Sequence, residues 1–553
     1  MFSRRGFLVG TAGALAGCRL PGSGSVRSGR IADCWSTFET QCMTSKKKPG
    51  RRTGRMPGEH CCVGDRDNMN EEALFGGDGW VNFFPDLRKD LLFLLGDGWD
   101  VPYGADDAGG GISAFGSSVP DCGRFAFLAG SPSGLARLGE RIRDAGWKGV
   151  GLRVSPQMAG ETCDSPCEDW AMLEEDLKRK LGDSAEGNIA YWKVGWGVHG
   201  RDMRYRRLMS ELKEVYAPDL IIDHGWVVGN AFNGHPSPKT GWKVPVLPDI
   251  TGGGRCRMTD NTLYDGVRSG YEALMEFSDV VHTGDTLLPL CTATALDRAV
   301  FAVECADKIG SRAVVNIGDE ALIAAVLGLE FEMSRAPSWP RSGAELPWNR
   351  CERMAEASRC VSWHRLAPPF GSDGGIRLGR SMERLEESWR FGRGGVWWDV
   401  VQGREILQTA PAVVARGLPL PIVKSLEPGG DVPFVAAGRN PNGAKSVASI
   451  PLLTQEKGFH TPRASVALDA RLAPEEPLGV FDVFGELVVT LAEGRPSRVT
   501  ACDLAGGYAE DITAATVFSG GRLTLDGETL SRIGTRQNPT GDSSSPGLVL
   551  ELS

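Results

Sequence analysis

Carboxylates and tryptophans recur in this chain immediately after short apolar runs. Asp97-Gly98-Trp99-Asp100 follows the run 91–95, and Gly195-Trp196-Gly197 follows Tyr191-Trp192-Lys193-Val194. Asp223-His224-Gly225-Trp226, His282-Thr283-Gly284-Asp285 and Gly318-Asp319-Glu320 repeat the arrangement further on. Apolar strand interiors do not hold such groups, so these positions are strand ends. An indole face stacks on the C–H surface of a sugar ring, and a carboxylate accepts hydrogen bonds from hydroxyls. The combination favours a neutral, polyhydroxylated ligand.

Each signal has a plainer structural reading. Asp97-Gly98 is also a turn dipeptide, Thr283-Gly284-Asp285 also a helix-capping loop, and Asp319-Glu320 also a helix start. Lys193 is costly to bury unpaired, so either an ion pair or substrate holds it. A lone histidine such as His282 is by default a hydrogen-bonded structural residue. Asp223 and His224 are adjacent, so in a strand only one of them points inward. Arg153 and Gln157, at another strand end, are weaker candidates for hydroxyl contacts. Seven histidines are spread along the chain without metal-ligand spacing, so neither a metal nor another cofactor is expected. A formal net charge of -9 and the lack of a basic domain argue against a nucleic-acid partner.

The elements that position these residues alternate. Strands are expected at residues 34–38, 91–95, 149–154, 189–194, 220–222, 277–281 and 313–317. Between them lie helical stripes such as Leu135, Leu138 and Ile142, then Leu173, Leu177 and Leu181, and the helix 296–309. Strand–helix alternation over some three hundred residues implies a parallel sheet and suggests a (β/α)8 TIM barrel. For the eighth strand the apolar run Phe434-Val435-Ala436-Ala437 is preferred over Cys360-Val361-Ser362-Trp363. Beyond residue 446, short alternating runs separated by Gly, Pro and Asp read as a C-terminal antiparallel β-sandwich domain. The expected division is therefore a signal over 1–17, a linker over 18–30, a barrel with insertions over 31–445 and a sandwich over 446–553.

The N-terminus is an address. Ser3-Arg4-Arg5-Gly6-Phe7-Leu8 reads as a twin-arginine export signal, and the apolar run after it is too short to span a membrane. Leu15-Ala16-Gly17-Cys18 resembles a bacterial lipobox, which would make Cys18 a lipidated N-terminus. The expectation is an exported protein, periplasmic or membrane-anchored, touching the membrane only through the lipid at Cys18. Export permits disulfides; Cys61-Cys62, and Cys163 with Cys167, are either loop staples or free thiols.

The strand Tyr191-Trp192-Lys193-Val194-Gly195 closely resembles the nucleophile strand of α-galactosidase-type (melibiase-like) glycoside hydrolases, whose pattern is aromatic, Lys, apolar, Asp. Gly96-Asp97-Gly98-Trp99 is similar to that family's Asp-Asp-Gly-Trp, and the segment ending in Asp285 to its acid/base strand, with His282 where an Arg is usual. The resemblance extends from about Trp35 to Arg335 and implies a sugar-cleaving barrel followed by a small β domain. It also implies that Gly195 stands at a lost nucleophile position. A retaining site needs carboxyl groups about 5–5.5 Å apart, an inverting site about 6.5–9.5 Å with a water between. Space vacated at Gly195 would admit that water, with Asp285 as acid and Asp97, Asp223 or Asp319 as base. The expected substrate-binding set is Trp35, Asp97, Trp99, Asp100, Arg153, Lys193, Trp196, Trp226, His282 and Asp319. The function expected is hydrolysis of an α-linked, galactoside-like sugar; the alternative is a non-catalytic carbohydrate-binding protein on a degenerate barrel.

Overall fold

The computed structural model describes residues 32–38, 40–41, 66–105, 111–162, 165–200, 202–225, 270–283, 292–337, 352–369, 376–378, 385–390, 405–454 and 458–553. Trp226, Asp285, the signal segment with Cys18, and Cys61, Cys62 and Cys163 lie outside the described residues.

Eight strands form one parallel sheet: β1 Cys34–Ser36, β2 Leu92–Leu95, β3 Gly149–Val154, β4 Ile189–Val194, β5 Ile221–His224, β6 Val280–His282, β7 Val314–Asn316 and β8 Glu332–Met333. From β1 to β7 each pairs with the next, β1 also pairs with β8, and an isolated bridge between Asn316 of β7 and Glu330, just before β8, links the two ends of the sheet. Helices Gly134–Asp144, Trp170–Glu186, Met203–Tyr216, Thr292–Ile309, Ala321–Leu327 and Met354–Leu366 alternate with the strands. The chain is a (β/α)8 barrel. Alternate residues of each strand face opposite ways. In β1, Cys34 turns inward to a small apolar plug with Leu92, Leu94, Tyr191 and Val280, while Trp35 joins the large core beneath the helices.

The eighth strand is Glu332–Met333, which corrects the expectation of Phe434-Val435-Ala436-Ala437; Cys360 to Trp363 belong to the helix Met354–Leu366. Strand Phe434–Arg439 pairs instead with Lys445–Ile450 in a second eight-stranded sheet. The cause of the misreading is that this sheet is a middle layer. Phe434 and Ala436 pack toward the barrel's core, whereas Val435 and Ala437 pack toward a five-stranded sheet on the other side. A strand covered on both faces reads as a continuous apolar run, as barrel strands do. The two C-terminal sheets form a sandwich that is mainly antiparallel, with three parallel pairs such as Phe434–Arg439 running beside Val413–Arg416. Its strands begin before residue 446.

Candidate active site at the C-terminal end of the barrel

The barrel interior above the apolar plug is polar and closed to solvent. Lys193 of β4 donates from Nζ to both carboxylate oxygens of Glu332, at 2.7 and 2.6 Å, with both side chains 5% exposed. Tyr191 Oη lies 2.8 Å from Asp223 Oδ2 and 2.6 Å from Glu330 Oε1. Its single proton serves only one of these acceptors at a time. Burial, followed by the charge of Asp223, raises Glu330 well above the usual carboxylate range. Burial also opposes ionisation of Asp223, but the neighbouring His282 imidazole, Lys193 and the hydrogen bonds from His282 and Tyr191 together bring it below the ordinary value. Asn316 Nδ2 donates to Asp223 Oδ2 at 3.2 Å and Glu332 Oε2 at 3.1 Å, and its Oδ1 accepts from the backbone N–H of Gly318. Room for Tyr191 comes from β3: a Cβ on Gly151 would stand 3.2 Å from that of Tyr191.

Above this network sit the strand ends. Asp97, after β2, receives Arg153 Nε at 2.8 Å and Trp196 Nε1 at 3.2 Å. Its backbone carbonyl accepts from Gln41 Nε2. Arg153 and Lys193 are register partners on β3 and β4, and Lys193 is the partner of Asp223 on β5. Asp97, Arg153, Lys193, Gly195, Trp196, Asp223 and His282 therefore gather at one end of the barrel. Trp196 packs its ring edge-to-face on Phe115, with ring centres 4.6 Å apart, and Arg66 lies over Phe115 at 4.3 Å.

The space beside Gly195 is lined by a guanidinium. A Cβ at Gly195 would lie 3.1 Å from Arg153 Nη2. The backbone there is fixed from outside the barrel by Arg206 of the helix Met203–Tyr216, which donates to the carbonyls of Val194, Gly195 and Gly200.

Asp223 points inward and His224 outward, as strand alternation requires. Burial and the neighbouring Arg206 hold His224 neutral, well below the usual imidazole range. Arg206 donates to its Nδ1, so its Nε2–H donates to Ser210 Oγ. Asp319, after β7, is locked to Arg335 Nε at 2.8 Å and to the Ser334 hydroxyl.

Three residues of the expected substrate-binding set are buried apart from this cluster. Trp35 is fully buried against Phe93 and Trp147 and donates to the Arg335 carbonyl. Trp99 is buried too, its Nε1 donating to the Arg153 carbonyl. Asp100 folds under its loop and accepts the N–H groups of Gly116 and Ser118; burial raises its pKa despite them. All three shape the strand ends from behind. Cys167 is a free thiol.

Glu330, Glu332 and Asn316 were absent from the sequence-based site, although Leu329-Glu330-Phe331-Glu332-Met333 alternates with period two. In most proteins such alternation sends the acids to water; inside a barrel both faces are covered, and the acids meet Lys193 and Tyr191.

No family model and no curated protein matches the sequence. Among solved structures the chain is similar to a β-L-arabinopyranosidase of glycoside hydrolase family 27 from Geobacillus stearothermophilus, at 9% identity and a TM-score of 0.40, covering 88% of this chain and 93% of that one. It is also similar to the α-galactosidase of Saccharomyces cerevisiae with raffinose, at 11% identity and a TM-score of 0.39, covering 95% and 98%. A third is α-galactosidase I of Mortierella vinacea, at 10% and 0.32, covering 96% and 98%.

Proposed function

We propose that this protein is a glycoside hydrolase acting on an α-linked, galactoside-like sugar at the C-terminal face of its barrel, with water rather than a strand-four carboxylate as nucleophile. The observation that supports it most is the gathering of Asp97, Arg153, Lys193, Trp196, Asp223 and His282 at one barrel end, where the fold conventionally does its chemistry. Glycine at 195 cannot form a glycosyl ester, so the reading is direct displacement with inversion, Asp285 giving its proton to the leaving oxygen. A screen of 4-nitrophenyl and unactivated α- and β-glycosides, with the product anomer followed by NMR, tests it. Turnover with inverted product, lost in Asp285→Asn, is expected; retained configuration or an unaffected Asp285→Asn would refute it.

A second reading, a non-catalytic carbohydrate-binding protein, draws support from one observation: Asp97 and Asp319 are each held in a buried ion pair with arginine. Binding without turnover on every linkage would favour it. The motifs at Arg4-Arg5 and Cys18 support export by the twin-arginine route and lipid anchoring; palmitate labelling lost in Cys18→Ala tests this.

A further inference from the structure

A cavity of about 310 Å³ opens at one end of the sandwich, between strands of both C-terminal sheets. That volume is at the lower end of the range for small-ligand sites, about 300–1,000 Å³. Arg439 ends the strand Phe434–Arg439 and Lys445 begins Lys445–Ile450, and the two are register partners across the hairpin. Asp469 and Arg471 come from the strand Ala464–Leu472 of the other sheet, and Glu476 from the loop that follows it. The lining therefore sets three cations, Arg439, Lys445 and Arg471, against two carboxylates, Asp469 and Glu476. One positive charge is left over. No aromatic ring is among the described lining residues.

Each wall is held in place. Lys445 is buried, and its Nζ pairs with Glu476 Oε2. The same oxygen accepts the N–H of Ala473 at 3.1 Å. Glu476 Oε1 faces Arg439 Nη2 at 3.9 Å, beyond hydrogen-bonding distance. Like charges directly opposite on paired strands repel, and Glu476 offsets only part of that cost for Arg439 and Lys445. On the other wall the sheet is irregular. The register of Ala464–Leu472 shifts between Leu468 and Leu472, and Arg471 takes a φ of 45°, a left-handed conformation that is costly for a residue with a Cβ. The Thr490 hydroxyl fixes this bulge, accepting from the Arg471 N–H at 2.9 Å and donating to Asp469 Oδ1 at 2.8 Å. Bulges re-aim side chains, and here the exposed Arg471 lines the cavity. Among the described residues no carboxylate pairs with it.

We propose that this cavity binds an acidic sugar unit of the uronate class. Arg471 and Arg439 take the carboxylate, for which the guanidinium fork is matched. Asp469 and Glu476 Oε1 accept hydrogen bonds from ring hydroxyls. Each feature of the ligand answers a feature of the lining. The single excess positive charge selects a monoanion, which a zwitterion would not satisfy. The two carboxylates repel a bare oxyanion and call for a ligand with donors of its own. A neutral sugar would have no aromatic face to stack on. The inference concerns the sandwich and stands whether or not the barrel turns over.

Isothermal titration calorimetry of the full chain at low ionic strength tests it, with D-galacturonate and D-glucuronate against D-galactose, sodium sulfate and glycine. Saturable binding of a uronate is expected, weakened by added salt and tighter than that of the three comparators by about tenfold or more. Arg471→Gly removes the guanidinium and relieves the left-handed backbone. It should weaken uronate binding roughly 10–100-fold while the melting temperature stays or rises. Arg439→Ala should weaken binding in the same direction. Uronate affinity within about threefold of the parent in both variants overturns the inference, because binding would then lie elsewhere. So does the absence of uronate binding by the parent, or galactose, sulfate or glycine bound as tightly. Should Arg471→Gly not fold, Arg439→Ala decides alone.

Discussion

Lys193 illustrates how much one buried side chain decides here. Its ammonium and the Glu332 carboxylate satisfy each other in a closed interior, so removing one strands the other. Lys193→Met is expected to cost about 3–5 kcal/mol in urea denaturation, and adding Glu332→Gln should recover a large part. Gly195 makes the complementary point. An aspartate introduced there would meet the Arg153 guanidinium, so Gly195→Asp is expected to pair with it rather than attack a sugar. Mass spectrometry after incubation with an activated 2-fluoro glycoside should show no covalent adduct; an adduct would mean that Arg153 yields. At this scale the sequence spoke partially. Strand ends collect polar residues, and the structure brings Asp97, Arg153, Lys193, Trp196 and Asp223 to one end of the barrel. Trp35, Trp99 and Asp100 are buried instead, because residue type at a strand end does not tell which face a side chain takes.

Among the elements, the helix Met354–Leu366 is tied to both the barrel and the sandwich. His364 Nδ1 meets Asp33 Oδ2 at 2.6 Å, anchoring this helix beside β1, and Trp363 donates to the Ala325 carbonyl. Burial works against a charged His364, but the attraction and hydrogen bond of Asp33 outweigh it and raise its pKa well above the usual value. The raised folded pKa means this contribution is complete below the unfolded value near 6.5 and is lost as pH climbs through the folded value. Denaturation midpoints should therefore fall from neutral toward alkaline pH, and His364→Gln should flatten that limb; an unchanged slope would mean that the pair carries no net stability. Seven of the eight barrel strands were legible as apolar runs between helical stripes. The eighth was not: two residues with glutamates before and within it carry no strand signal until the barrel surrounds them.

Across the molecule, barrel and sandwich share their interior. Asp542, near the C-terminus, caps the helix Met354–Leu366 by accepting from the N–H groups of Met354 and Ala355, and Arg359 of that helix pairs with Asp503. Calorimetry should accordingly show one cooperative transition, and a chain ending near residue 410 should not fold; two separate transitions would contradict the shared core. Asp482, buried near this seam beside the Thr461 hydroxyl, has its pKa raised by burial to about 6. The folded state thus binds its proton more tightly, so its contribution is present at low pH and is lost as pH rises from about 4 to about 6. Asp482→Asn should remove that segment of the stability–pH curve.

The sheet that contains Phe434–Arg439 is a party wall, and this bears on how the chain can be re-engineered. A C-terminal domain that merely leaned on its neighbour could be exchanged like a cassette for another sugar-binding module. Here alternate residues of single strands belong to different rooms, so a graft made at any strand boundary would leave one room unroofed. A transplantable unit would have to carry the helix Met354–Leu366 and both sheets together.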